Sequence, residues 1–201
     1  MNNNTTRKTQ QLTGMAIFSA IIVVLTIFCT FIKFGPVSIT LALAPIIIGA
    51  AVYGAGAGAI LGFVFSLVVL LTGIFGWDGG FIMYLMSLSP VGLLVTIFLK
   101  GTAAGFLSGV LYRVISRKNE KTAVLCAGIA CPIVNTGLFV ACMFLFFMDA
   151  LQGMAGGRDL VAYIIFGLCG INFVIELVVN IALSSVITYI IKLRKKSGRA
   201  Y

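Results

Sequence analysis

The chain has 201 residues, of which 61% are hydrophobic and 9% charged, against roughly 45–50% and about 25% in soluble domains. So few polar groups cannot cover a soluble fold of this size, which excludes a soluble enzyme, a disordered tail and a secreted disulfide module. Fourteen Lys and Arg against five Asp and Glu leave a net charge of +9, and there is no histidine, so HExxH zinc sites and Ser–His or Cys–His catalysis are unavailable.

What remains is an all-α membrane protein, a single integral membrane domain over residues 1–201. The first apolar run, Leu12 to Ile32, is longer than the ~7–15 residues of a signal-peptide core and is followed by further spans, so it reads as a transmembrane helix. Phe34 to Trp77 carries 44 residues without a charge, room for two spans of roughly 20 residues. Glycine suits Tyr53-Gly54-Ala55-Gly56 to the turn between them. The second span, about 38–53, contains Pro45, which membrane helices tolerate; the third covers about 56–74. Gly79 to Ile115 has two readings: a loop or partly inserted segment and then one span over about 90–115, or two short spans breaking near Lys100-Gly101. Whether 79–89 is loop or helix stays open. Spans at about 122–148 and 161–191 complete the chain.

Charge selects six spans over seven. With six, Arg7, Lys8, Arg113, Arg117, Lys118, Lys121, Lys192, Arg194, Lys195, Lys196 and Arg199 share one side, leaving only Lys33 and Arg158 opposite and Lys100 in the membrane. The positive-inside rule then gives a six-helix bundle with both termini cytoplasmic. The basic clusters lie between apolar runs, so they anchor loops to the bilayer and do not form a nucleic-acid face. The five cysteines lie in apolar segments without a CxxC pair, as packing or lipid-facing residues.

Gly54, Gly58 and Gly62 recur every four residues, as do Gly101, Gly105 and Gly109. That spacing lines one helix face, where the absent side chains admit another backbone, in this chain or a partner. Gly54-Ala-Gly56-Ala-Gly58-Ala59 also fits GxGxxA, but no strand–turn–helix unit accompanies it. There is no GxxxxGK[ST] loop, and so no P-loop ATP site.

Ionised residues in a membrane helix usually face the bundle interior and often mark function. Lys100 lies 13 residues from Arg113, Asn135 14 from Lys121 and Glu176 16 from Lys192. At ~1.5 Å per residue all three reach roughly 20–24 Å above the inner surface. Asn172 and Asn180 flank Glu176 at i−4 and i+4 and extend its polar face. Two readings follow: an internal Lys100–Glu176 ion pair that only stabilises the bundle, or a pocket where Lys100 neutralises a ligand carboxylate while Glu176 and the asparagines take hydroxyls or amides. Trp77, near Phe75, Asp78 and Tyr84, is either part of an interfacial aromatic belt or a lid that stacks over the ligand.

The string Phe34-Gly-Pro-Val-Ser-Ile-Thr-Leu-Ala-Leu-Ala-Pro-Ile-Ile-Ile-Gly49, then Tyr53-Gly-Ala-Gly-Ala-Gly-Ala-Ile-Leu-Gly62, resembles the substrate-binding S components of energy-coupling-factor (ECF) vitamin transporters. So does Ser89-Pro-Val-Gly92 leading into Leu99-Lys-Gly-Thr-Ala-Ala-Gly105. The resemblance implies a bacterial plasma-membrane subunit that captures a vitamin outside the cell. It implies a membrane T subunit and two cytoplasmic ATPases as partners; these hydrolyse ATP, and the chain itself needs no cofactor. Ala16 and Ala20 match the alanine–three–alanine face on which such proteins dock the T subunit. Ligands in the family are held by the outer halves of later helices and by outer loops, which implicates Lys100, Asn135, Asn172, Glu176, Asn180 and Trp77. Leu99-Lys-Gly101 looks most like pantothenate-handling members, with folate and other vitamins open. The competing expectation is a self-sufficient carrier or small channel using Lys100 and Glu176 as an ion relay.

Overall fold

A computed structural model describes the backbone of residues 3–32 and 36–196, and the side chains of 8–32 and 36–191. Arg7, Lys33, Lys192, Arg194, Lys195, Lys196 and Arg199, with Phe34 and Gly35 of the quoted string, lie outside the described side chains. The helices are α1 (Asn3–Thr30), α2 (Leu43–Tyr53), α3 (Ala55–Ile74), α4 (Phe81–Leu88), α5 (Pro90–Ile115), α6 (Glu120–Phe146), α7 (Met148–Ala155), α8 (Leu160–Ala162) and α9 (Gly170–Lys196), with a π-helical stretch Tyr163–Leu168 before α9.

Helix starts follow local chemistry. Ser89 is extended, its hydroxyl accepts from Gly92 N at 3.2 Å, and Pro90 opens α5 where a missing N–H costs nothing. Asn119 caps α6 by accepting from Lys121 N at 3.0 Å. Gly54 alone joins α2 to α3, at a φ of 96° that other residues avoid.

Among the described residues, five helices are long and apolar enough to cross a membrane, and α2, at 11 residues, is not. Its length is about 16 Å. The stretch expected as a second span, 38–53, is therefore helical only from Leu43, and residues 36–42 reach it without helix. Pro45 falls in the first turn of α2, where proline is compatible with the helix, so it marks a start and not a tolerated interior kink. The last pass differs too: regular α-helix begins at Gly170, after the π-helical stretch, and not at 161. Residues 81–88 of the open 79–89 segment are helical.

The short helix α2 is the hub. It packs on α1, α3, α5, α6 and α9, with Leu43, Ile46 and Ile47 fully buried among Ile22, Leu61, Ala104, Ala127 and Ile187. A second apolar cluster, around Leu85, Leu93, Met143 and Leu151, fills the end of the bundle away from the termini. The α3 and α5 glycine faces meet each other, antiparallel. Gly58 lies on the Gly105 carbonyl, Gly62 on that of Gly101, and Gly109 against Ala55. These faces are thus satisfied within the chain; Gly54 is the turn and does not join them.

Candidate functional site

Between the two clusters lies a cavity of ≈ 80 Å³. It has room for several waters, but is well below the ~300–1,000 Å³ typical of small-molecule sites. Helices α1, α3, α5 and α6 line it with Thr26, Phe65, Thr96, Lys100 and Phe139, and residues 36–42 close one side. The threonine hydroxyls donate within their own helices: Thr26 to Ile22 O, Thr30 to Thr26 O and Thr96 to Gly92 O, each at 2.7 Å. In a span with no water, such back-bonding spends the proton and leaves oxygen lone pairs for a guest.

Lys100 is the one charge brought into this cavity by a membrane-spanning helix. Its Nζ stands 4.9 Å from the centre of the Phe139 ring, a cation–π contact. Among the described residues Lys100 and Glu176 form no ion pair within 4.0 Å. The internal pair considered above is thus not formed at that distance; one carboxylate oxygen of Glu176, Oε1, accepts from Thr40 N at 2.8 Å.

The other expected site residues lie beside the cavity and not on its surface. Asn172 Nδ2 donates to Val37 O at 2.6 Å, and Asn180 Nδ2 to Glu176 O at 2.9 Å. Gly128 of α6 lies against Asn180 of α9, so two turns further along α6 bring Asn135 level with the Asn172–Glu176 stretch. Asn135, Glu176 and Asn180 are 4%, 3% and 2% exposed. Each keeps one oxygen (Asn135 Oδ1, Glu176 Oε2, Asn180 Oδ1) without a hydrogen-bonding partner among the described residues. The sequence argument put these residues in one polar layer but did not give its division: Lys100 in the cavity, the carboxylate and amides on the α6–α9 seam.

Trp77 does not reach the cavity. It stacks on Phe31 at 6.0 Å between centroids, touches Phe75 at 5.9 Å, and is 44% exposed, the geometry of an interfacial aromatic cluster. Its neighbour Asp78 caps α4, accepting from Gly80 N at 2.9 Å and Ile82 N at 2.7 Å. Sequence reasoning missed the threonines and residues 36–42; the signal for the threonines was Thr26 and Thr30 at i, i+4 in an apolar run. Ala16 and Ala20 are exposed on α1, flanked by Leu12 and Val24, also exposed.

Residues 10–192 match the family "ECF transporter, substrate-specific component". The chain belongs to that family. A solved structure of ThiT from Listeria monocytogenes has the same fold: TM-score 0.63 at 19% identity, covering 94% of this chain and 97% of that one. A comparison with curated proteins gives no match. The chain is therefore an ECF S component, a multi-pass plasma-membrane subunit that binds a transport substrate and is not an enzyme. Such components work with a T subunit and ATPases.

Proposed function

We propose that this S component captures a small, acidic, water-soluble vitamin in the Lys100 cavity, at the outer face, for ATP-driven uptake by its partners. Pantothenate is the first candidate, from the resemblance of Leu99-Lys-Gly101; folate or another vitamin is the alternative. The observation that carries this is a lysine ammonium inside a largely apolar cavity, beside an aromatic ring and with no carboxylate within 4.0 Å among the described residues; Asp78, which also lines the cavity, has its carboxylate engaged by Gly80 N and Ile82 N. A buried cation in that position is stabilised by an anionic guest. Threonine lone pairs and the apolar walls of Phe65 and Phe139 suit a guest that also carries hydroxyl or N–H groups on an aliphatic frame.

The empty space is too small for such a molecule, so the lining moves outward on binding; residues 36–42, with Asp78 in the turn before α4, are its non-helical parts. Both termini face the cytoplasm in this reading. Arg113, Arg117, Lys118 and Lys121 occupy the α5–α6 connection, at the end away from the cavity. The exposed Ala16 and Ala20 face of α1 docks the T subunit, and two cytoplasmic ATPases hydrolyse the ATP.

Native mass spectrometry of the purified protein tests the reading. A co-purified acidic molecule in the vitamin mass range is expected; a basic or neutral one would overturn it. Gradient-driven flux by this chain alone in liposomes would instead establish a self-sufficient carrier with Lys100 and Glu176 as the relay.

A further inference from the structure

Residues 36–42 connect two helices without being helical themselves, and of their backbone groups the Leu41 and Ala42 carbonyls accept from the first turn of α2. Backbone groups in such a place must find partners elsewhere. On one side they find α1 and its end: Ser38 Oγ donates to Thr30 O at 3.2 Å and Ile39 N to Ile32 O at 3.2 Å. On the other they find α9: Thr40 N donates to Glu176 Oε1 at 2.8 Å, and Val37 O accepts from Asn172 Nδ2 at 2.6 Å. Helix α1 packs on α2 and α3, and α9 on α6 and α2. The 36–42 segment bridges them at the level of the cavity, and all seven of its residues line that cavity.

Asn172 and Glu176 are one helical turn apart on α9 and grip the segment at two points. Each makes a bond to a main-chain atom of the segment, and the Thr40 side chain adds a second contact to the Glu176 carboxylate. Neither residue lines the cavity. We propose that Glu176 and Asn172 are positioning residues: they hold the backbone of 36–42 as a wall of the cavity, and Glu176 does so as a hydrogen-bond acceptor, not as a charge presented to the ligand. The consequence for binding rests on the reading of this cavity as the ligand site; the clamp itself does not.

The chemistry separates the two roles. Glu176→Gln keeps a carbonyl oxygen that accepts from Thr40 N but removes the charge, whereas Glu176→Met removes both. Asn172→Asp turns the donor facing Val37 O into an acceptor.

Hydrogen–deuterium exchange in nanodiscs, without ligand, reads the clamp directly. In Glu176→Met, peptides covering 36–42 should exchange about ten- to a hundredfold faster, as expected for loss of one hydrogen bond to a charged group. Glu176→Gln should stay much closer to wild type. Titration with pantothenate and with pantothenol, which has an alcohol in place of the carboxylate, reads the consequence. Glu176→Met should weaken both probes by a similar factor, and Glu176→Gln should largely rescue both.

Unchanged exchange in Glu176→Met would overturn the proposal. So would a Glu176→Gln variant that loses one probe selectively while 36–42 stays protected, since Glu176 would then act on the ligand by charge. If Glu176→Met does not fold, Asn172→Asp reads the second bond in the same assays. If exchange follows the prediction but wild-type protein binds neither probe, the clamp stands and the pantothenate reading fails.

Discussion

Gly62→Ala adds one methyl group where α3 crosses α5, and the structure sets its cost. The new Cβ would lie on the Gly101 carbonyl oxygen, 2.8 Å from its carbon and 3.2 Å from Thr102 Cα. Ordinary contact begins at 3.4 Å, so α5 must retreat by at least ~0.6 Å, and the obstacle is backbone that cannot rotate away. Overpacking of this kind costs about 1–3 kcal/mol, while alanine recovers up to ~1 kcal/mol of helix propensity. With full recovery a net loss of roughly 0–2 kcal/mol follows. Gly137 in α6 has nothing within 4 Å of an added Cβ, so Gly137→Ala should be neutral or stabilising, by up to ~1 kcal/mol. Denaturation of both variants in mixed micelles, followed by helical circular dichroism, makes the comparison. Because Lys100 adjoins Gly101, Gly62→Ala should also weaken ligand binding. A Gly62→Ala protein as stable as Gly137→Ala would refute the close α3–α5 crossing.

Asp78→Ala removes the acceptor for Gly80 N and Ile82 N and should loosen α4 by about 0.5–2 kcal/mol, seen as faster amide exchange over 81–88. Trp77→Ala should leave ligand affinity unchanged in a titration, because the ring packs on Phe31 and Phe75; a large loss would put it on the ligand. Replacing Ala16 and Ala20 with leucine should spare ligand binding but reduce co-purification with the T subunit, and undiminished co-purification would count against that face.

How much the sequence revealed depended on the kind of information required. Long apolar runs such as Ala55–Ile74 announce themselves because the bilayer demands length and composition alone. The four-residue glycine spacing likewise announced a close crossing, though not that α3 and α5 supply both sides of it. Residues 36–42 escaped because Val37, Ile39 and Leu41 are apolar in either conformation, so hydropathy is blind to whether the backbone is helical. Pro45 was the available clue, since proline favours a first turn over an interior. Counting from the basic ends put Lys100, Asn135 and Glu176 at a common level, but a level carries no direction. That Glu176 turns to Thr40 is a contact across 136 positions of chain, and no local pattern encodes it.

The central claim is that Lys100 meets the acidic end of a guest. Isothermal titration of wild type and Lys100→Met, with the vitamin that co-purifies and with the same molecule after its carboxylate is masked as a neutral amide, measures it. A charge-assisted bond of about 1.5–3 kcal/mol predicts a ten- to hundredfold preference for the acid in wild type, lost in Lys100→Met. Equal affinity for acid and amide in wild type, or a preference that survives Lys100→Met, would contradict the account.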